Sequence, residues 1–208
     1  MVLRIKNYTV HELLYVNEFV VKEKEIIAVT GDSGSGKSTL FKSITGFFRD
    51  YEGELLFYDQ SLRTLNPVDL RRKFCYVPQE SVVYCGSLIE NLKFGKELRG
   101  ESFDYSEILE MSEFFLPGKK MDSNPSNFSS GEKQRLHLLR SLIVNAEIWL
   151  FDEPTSNLDQ ARAQDILAYI LSYLKKKGKT VMFITHDPKM ALLADRTIMI
   201  KERKLINV

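Results

Sequence analysis

The sequence has little of what would place a protein outside the cell, in a membrane or on a nucleic acid. Its 208 residues include two cysteines, Cys75 and Cys85. Two thiols make no disulfide framework, and their spacing fits no common zinc or redox motif. Both read as reduced side chains. No apolar run approaches the roughly 18 residues of a membrane span. The N-terminus, MVLRIKNYTV, has no apolar core of a signal peptide. These absences predict a chain made and kept in the cytoplasm, so that any membrane role needs a partner. Charge of one sign is also missing, since 29 Lys and Arg oppose 28 Asp and Glu. Nucleic-acid binding usually needs a basic face, and no nucleic-acid partner is expected. The longest basic run, Lys175-Lys176-Lys177, ends just before Gly178. It reads as a solvated helix end favoured by the helix dipole. There is no internal repeat and no low-complexity tract.

What remains is an ordinary globular composition, 44% hydrophobic and 27% charged. A chain of this length buries a full core, and it reads as one domain with a small sub-domain. Short apolar runs alternate with helical patterns. EIIAVT (Glu25–Thr30) reads as a buried strand entering a glycine loop, and Ser38–Gly46 as the helix after it. FCYVPQ is strand-like up to Pro78. IWLFDEP (Ile148–Pro154) is a buried strand ending in two acids, TVMFITH (Thr180–His186) another, and RTIMI a last one. From about Ala161 to Lys177 the period is helical, with Ile166, Ile170 and Leu174 on one face. Such alternation predicts an α/β domain with a largely parallel sheet. Residues 80–128 differ: SLIENLKFG and YSEILEMSEFF are helical, so this stretch reads as a helical sub-domain inserted between core segments 1–79 and 129–208.

Gly31-Asp32-Ser33-Gly34-Ser35-Gly36-Lys37-Ser38, followed by Thr39, matches G-x-x-x-x-G-K-[ST] between a strand and a helix. Small residues let the backbone curl so that successive N–H groups face phosphate oxygens. Lys37 can reach the β- and γ-phosphates, and the Ser38 hydroxyl can bind Mg²⁺. Asp152 and Glu153 close an apolar strand, where open α/β sheets bind ligands. Asp152 is suited to holding Mg²⁺, directly or through water, and Glu153 to orienting and deprotonating an attacking water. Phosphoryl transfer needs mainly this positioning and charge neutralisation. The expected ligands are therefore ATP and Mg²⁺.

A second small-residue turn, Phe128-Ser129-Ser130-Gly131-Glu132-Lys133-Gln134-Arg135, opens into a helix and also suits an anion. Read alone, Ser129-x-x-Glu132 is a capping box. The order GDSGSGKST, VPQ, FSSGEKQR, IWLFDEPTSNLD, TH resembles an ATP-binding cassette (ABC) ATPase over nearly the whole chain. The resemblance implies a P-loop core with an N-terminal antiparallel β part. It also implies two cassettes stacked head to tail, with Ser129, Ser130, Gly131 and Glu132 closing over ATP held by the partner cassette. It carries Gln79 over as a contact to Mg²⁺ or water that also senses a transmembrane permease. Asp159 of Ser156-Asn157-Leu158-Asp159 becomes the acid of the loop crossing between sites, and His186 a γ-phosphate contact. Alone, Gln79 is a polar residue after a strand, and Asp159 a helix cap. Tyr8 resembles the aromatic that stacks on adenine, with Tyr15 as fallback; alone, Tyr8 is a tyrosine packed in an edge strand. Trp149 reads as core, and His11 and His137 as structural.

The sequence departs from the usual Leu-Ser-Gly-Gly-Gln signature at Ser130 and Glu132. If position 130 needs φ > 0, serine costs of order 1 kcal/mol; if not, it is tolerated. Lys37, Glu153 and His186 are of the type expected of an active ATPase. ESVVYCGSLIENLKFG resembles exporter cassettes, though the insertion is short. The implied role is the ATPase subunit of a membrane transporter, an exporter by resemblance, lying at the inner face of the cell membrane through a permease. The other reading, a soluble ABC-type ATPase of DNA repair or translation, usually brings a coiled-coil insertion or tandem cassettes. Neither is seen here. A P-loop kinase leaves FSSGEKQR and SNLD unexplained.

Overall fold

A computed structural model describes residues 1–10 and 13–207. In chain order the elements are β1 (Leu3–Val10), β2 (Leu14–Val21), β3 (Ile26–Gly31), α1 (Lys37–Ile44), β4 (Glu52–Phe57), β5 (Gln60–Ser61), α2 (Pro67–Lys73) and β6 (Phe74–Val77). Then come α3 (Leu88–Arg99), α4 (Tyr105–Phe115), α5 (Ser130–Ile143), β7 (Ile148–Asp152), α6 (Gln160–Lys176), β8 (Thr180–Ile184), α7 (Pro188–Ala191), β9 (Arg196–Lys201) and β10 (Lys204–Asn207).

The strands form one mixed sheet in the order β5-β4-β1-β2-β10-β9-β3-β8-β7-β6. Strands β9, β3, β8, β7 and β6 run parallel, while β1, β2, β4 and β5 pair antiparallel. The α/β core and its antiparallel N-terminal part are therefore as expected. The parallel strands are covered on both faces, which is why they read as unbroken apolar runs. Along β7, Trp149 and Phe151 enter one core and Ile148 and Leu150 the other. Strand β8 splits likewise, Val181 and Phe183 against Met182 and Ile184. Each such fully buried side chain contributes about 1.5–3 kcal/mol. Helices α3 and α4 fall within the stretch read as helical, and both pack on α5.

RTIMI is not the last strand. It forms most of β9, which turns back through Glu202 and Arg203 into β10. Both turn residues have positive φ, 49° and 65°, as a type I′ hairpin demands. The β4–β5 turn repeats this at Tyr58 and Asp59, with φ 46° and 61°. Neither turn contains glycine, so the usual sequence signal is missing at both. β10 then joins the two halves of the sheet, Lys204 pairing with Tyr15 of β2.

Candidate nucleotide site

The site is assembled where β3, β6, β7 and β8 end on one edge of the parallel sheet. The loop from β3 to α1 depends on glycine at two positions in particular. Gly31 has φ +133°, and a Cβ there would lie 2.3 Å from the Ile200 carbonyl oxygen of β9. Gly31→Ala is expected to destabilise the chain by about 3 kcal/mol, since neither backbone can yield; a fall in the urea midpoint measures it. Gly36 caps α1 in the left-handed region, φ 96°, with no side-chain cap on the helix amides. Those N–H groups are left for an anion. Asp32, Ser33 and Gly34 are exposed, and Ser35 and Thr39 half-buried.

Lys37 is buried and turned back onto its own loop. Its Nζ donates to the carbonyls of Gly31 (2.9 Å) and Asp32 (2.7 Å), with Ser35 Oγ at 3.4 Å. Desolvation pulls its pKa down, while Glu153, Asp152 and Asp32 act to hold the proton. Ser38 Oγ donates to Asp152 Oδ1 at 3.0 Å. The other oxygen of Asp152 accepts from the Tyr76 hydroxyl at 2.9 Å, and burial and this carboxylate raise the tyrosine pKa. Glu153 sits at φ 48°, an uncommon conformation for a non-glycine residue. Its Oε1 lies 2.6 Å from His186 Nε2, and its Oε2 accepts from Gln79 Nε2 at 3.1 Å. Lys37, Ser38, Asp152, Glu153, Gln79 and His186 thus converge through side-chain contacts and charge.

The structure does not offer Tyr8 for stacking on a base. Its side chain has no exposed surface, its hydroxyl is bonded to Ser43 Oγ at 2.7 Å, and its ring lies 5.3 Å from Tyr51. Burial pushes its pKa up to about 12. A ring closed in by its own core has no face left to give. Tyr15 is exposed, but the hairpin residues against Gly36 are Leu13 and Leu14. His11 lies outside the described residues. Trp149 is core, with Nε1 donating to Ser141 O.

The ABC transporter sequence profile matches residues 16–156. The chain belongs to the ABC transporter family. It is 32% identical over 91% of its length to the lactococcin-A transport/processing ATP-binding protein LcnC of Lactococcus lactis subsp. lactis, and spans 27% of that protein. It is 32% identical to the probable iron export ATP-binding protein FetA of Escherichia coli (strain K12), covering 86% of this chain and 80% of FetA. A solved structure of an ATP-binding subunit of an ABC transporter superposes with TM-score 0.86 at 25% identity, covering 100% of this chain and 90% of that one. A nucleotide-binding phosphate loop is what this ABC fold implies.

The signature stretch of this ABC chain is locally a capped helix. Ser129 Oγ accepts from the Glu132 amide at 3.2 Å, and Glu132 Oε2 from the Ser129 amide at 2.8 Å. Lys119 pairs with Glu132 at 2.8 Å and, with the Ser129 amide, holds that carboxyl below its ordinary pKa. Ser130 begins α5 and is not among the positive-φ residues, so it carries no left-handed strain. Gly131 packs beside Asn157 O and Leu158. Asp159 caps α6, accepting from the Arg162 amide at 3.0 Å. Two residues of the site were not singled out in the sequence. Tyr76 is one, held against Asp152. Gln134 is the other: buried on α5, it donates to Pro154 O at 2.6 Å and accepts from the Asn157 amide at 2.9 Å. It thereby clamps the signature helix to the 154–159 loop. The available signal was a polar residue on the buried stripe of α5.

Proposed function

We propose that this chain is the ATP-hydrolysing subunit of a membrane exporter, working as a head-to-tail pair of cassettes. The observation that carries the reading is Glu153, bracketed by His186 and Gln79 beside Lys37, Ser38 and Asp152. In this reading ATP phosphates lie on the loop amides of residues 31–39, and Lys37 exchanges its carbonyl partners for phosphate oxygens. Glu153 takes a proton from the attacking water. His186 and Gln79 fix the rotamer of Glu153 and reach toward the γ-phosphate and the water.

The residues fit a Mg²⁺ ion. Ser38 Oγ and Asp152 are already in contact, with Gln79 near. No cluster of three or more His, Cys, Asp or Glu side chains suited to a metal exists among the described residues. Such a sparse oxygen set suits a hard cation that takes its other ligands from phosphate and water. When bound, it would neutralise charge on the β- and γ-oxygens. Tyr76 orients the Asp152 carboxylate. Tyr76→Phe is expected to raise the Mg²⁺ concentration for half-maximal turnover about tenfold, with kcat at saturating Mg²⁺ changed about threefold at most. A Mg²⁺ titration of phosphate release checks both.

The head-to-tail pair is supported by what Ser129–Glu132 touch within one chain. Their contacts are with Lys119, the 157–158 backbone and side chains, and each other. Ser129 and Ser130 are themselves exposed, which leaves this turn open to ATP held by a second cassette. Export is supported by the name of FetA, a probable iron export ATP-binding protein. No helix among the described residues is long and apolar enough to cross a membrane. In this reading the cassette works with a transmembrane permease part. Its docking surface in this reading is a groove beside β6, walled by Phe47, Tyr84, Phe94 and Leu98. The primary test is phosphate release from Mg-ATP by the purified chain. A chain that binds ATP and releases no phosphate, alone or with added membranes, overturns hydrolysis.

A further inference from the structure

Glu132 puts a carboxylate on the same turn that is read as meeting a polyphosphate. A helix N-terminus favours one anion, and a second anion beside it repels the first. The carboxylate is folded back on the chain. Its Oε2 accepts from the Ser129 amide at 2.8 Å, and its Oε1 lies 2.8 Å from Lys119 Nζ. Both oxygens are committed. The group also keeps its charge at neutral pH, since the Lys119 ammonium and the Ser129 amide lower its pKa.

Lys119 belongs to the helical sub-domain, in the turn that follows α4. Its amide donates to Leu116 O at 3.1 Å, and Gly118 before it has φ 71°. The start of this turn is pinned to the core helices. Arg135 Nε of α5 donates to Phe115 O at 2.7 Å, and Arg162 Nη2 of α6 to Phe114 O at 2.5 Å. The Lys119 ammonium lies over the ring of buried Phe128, 4.6 Å from its centroid. Phe128 directly precedes the signature serine, so the cation is held from two sides. The Lys119 and Glu132 side chains are 30% and 22% exposed, which shields the pair from part of the screening that weakens open surface pairs. The other cations nearby are otherwise engaged. Arg135 and Arg162 are spent on the α4 carbonyls, and Arg135 also faces Asp159.

Resting on the reading of Ser129–Glu132 as the turn that meets ATP of a second cassette, we propose that Lys119 is a positioning residue of that shared site. It cancels the charge of Glu132 and holds the carboxylate back, so that the Ser129 and Ser130 hydroxyls and the first amides of α5 can approach a polyphosphate. Lys119 itself stays on Glu132 and does not touch the nucleotide.

The test is the dimer that the full chain forms in Mg-ATP when Glu153→Gln blocks hydrolysis. Its dissociation constant is measured by sedimentation equilibrium for this parent, for Lys119→Met, for Glu132→Gln and for the two together. Lys119→Met is expected to weaken the dimer about tenfold, a coupling ordinary for charged groups in contact. With Glu132→Gln present, the same substitution should cost about twofold or less, because the charge it cancels is gone while the capping box is kept. Lys119→Arg, which keeps the charge, should stay within about threefold of the parent. Melting of the nucleotide-free chains should move by no more than about 2–4 °C, since a partly exposed pair adds little to stability. An undiminished loss in the Glu132→Gln background means that Lys119 acts on the nucleotide or the partner directly, and overturns the proposal. A parent that dimerises while Lys119→Met changes nothing overturns it too, and leaves the paired reading standing. A parent that stays monomeric in Mg-ATP overturns the paired reading and this inference together.

Discussion

Glu153→Gln lowers turnover of Mg-ATP by about 10²–10⁴-fold, the range lost with a general base, while ATP still binds. The substitution keeps the shape of the side chain and removes its basicity. Both contacts of Glu153 can be kept: the amide oxygen accepts from Gln79 Nε2, and the amide nitrogen donates to His186 Nε2 in the Nδ1-protonated tautomer. If hydrolysis is what opens the paired state, this variant accumulates as a dimer in Mg-ATP. The mass in solution, with and without nucleotide, decides. A nucleotide-dependent shift from monomer to dimer supports both the base and the second-cassette role of Ser129–Glu132. A persistent monomer with bound ATP counts against a self-sufficient homodimer. Ser130→Gly in the same background then tests whether the signature loop is the weak part. The helical, unstrained backbone of Ser130 predicts that this reversion changes little.

Lys37→Met weakens ATP binding by about 10²-fold or more, since it deletes a charge-assisted bond worth about 1.5–3 kcal/mol to each phosphate oxygen it reaches. The loss reaches further than one contact. Asp32, Asp152 and Glu153 all act to keep the Lys37 ammonium charged. Without it, three carboxylates face an incoming polyphosphate with no fixed counter-charge between them. In the free chain the variant also strips two carbonyls, Gly31 O and Asp32 O, of their donor, but water can replace it at a loop this exposed. Melting of the free chain should therefore drop far less than affinity. Calorimetric titration with ATP, alongside thermal unfolding without it, separates the two. Equal losses in both would mean that Lys37 serves the loop and not the ligand.

Much of the site was legible because it is local. The phosphate loop needs left-handed backbone and close approach at glycines, and those residues stand in unbroken order from Gly31 to Ser38. The acids at 152 and 153 were legible for a related reason: a strand buried on both faces is an apolar run, and its end is marked by the first charge. The parallel core followed from the same runs. The capping box of α5 spans four residues, Ser129 to Glu132, and could be read directly.

What the sequence could not show was contact between distant segments. Tyr8 carries the composition of a base-stacking ring and the burial of a core residue, and only its packing on Ser43 and Tyr51 separates the two. Tyr76 and Asp152 are brought together by the register of β6 on β7. Gln134 acquires its clamp only when α5 lies beside the 154–159 loop, and Glu153 its bracket only when the ends of β6 and β8 flank β7. The hairpins at 58–59 and 202–203 adopt left-handed turns without glycine because strand pairing on both sides outweighs a local preference of about 1 kcal/mol per residue. The sequence alone determined which chemistry the chain carries, since that chemistry is written in short motifs. The tertiary structure decided which residues hold those motifs in place, since a hydrogen bond between distant positions leaves no periodic trace along the chain.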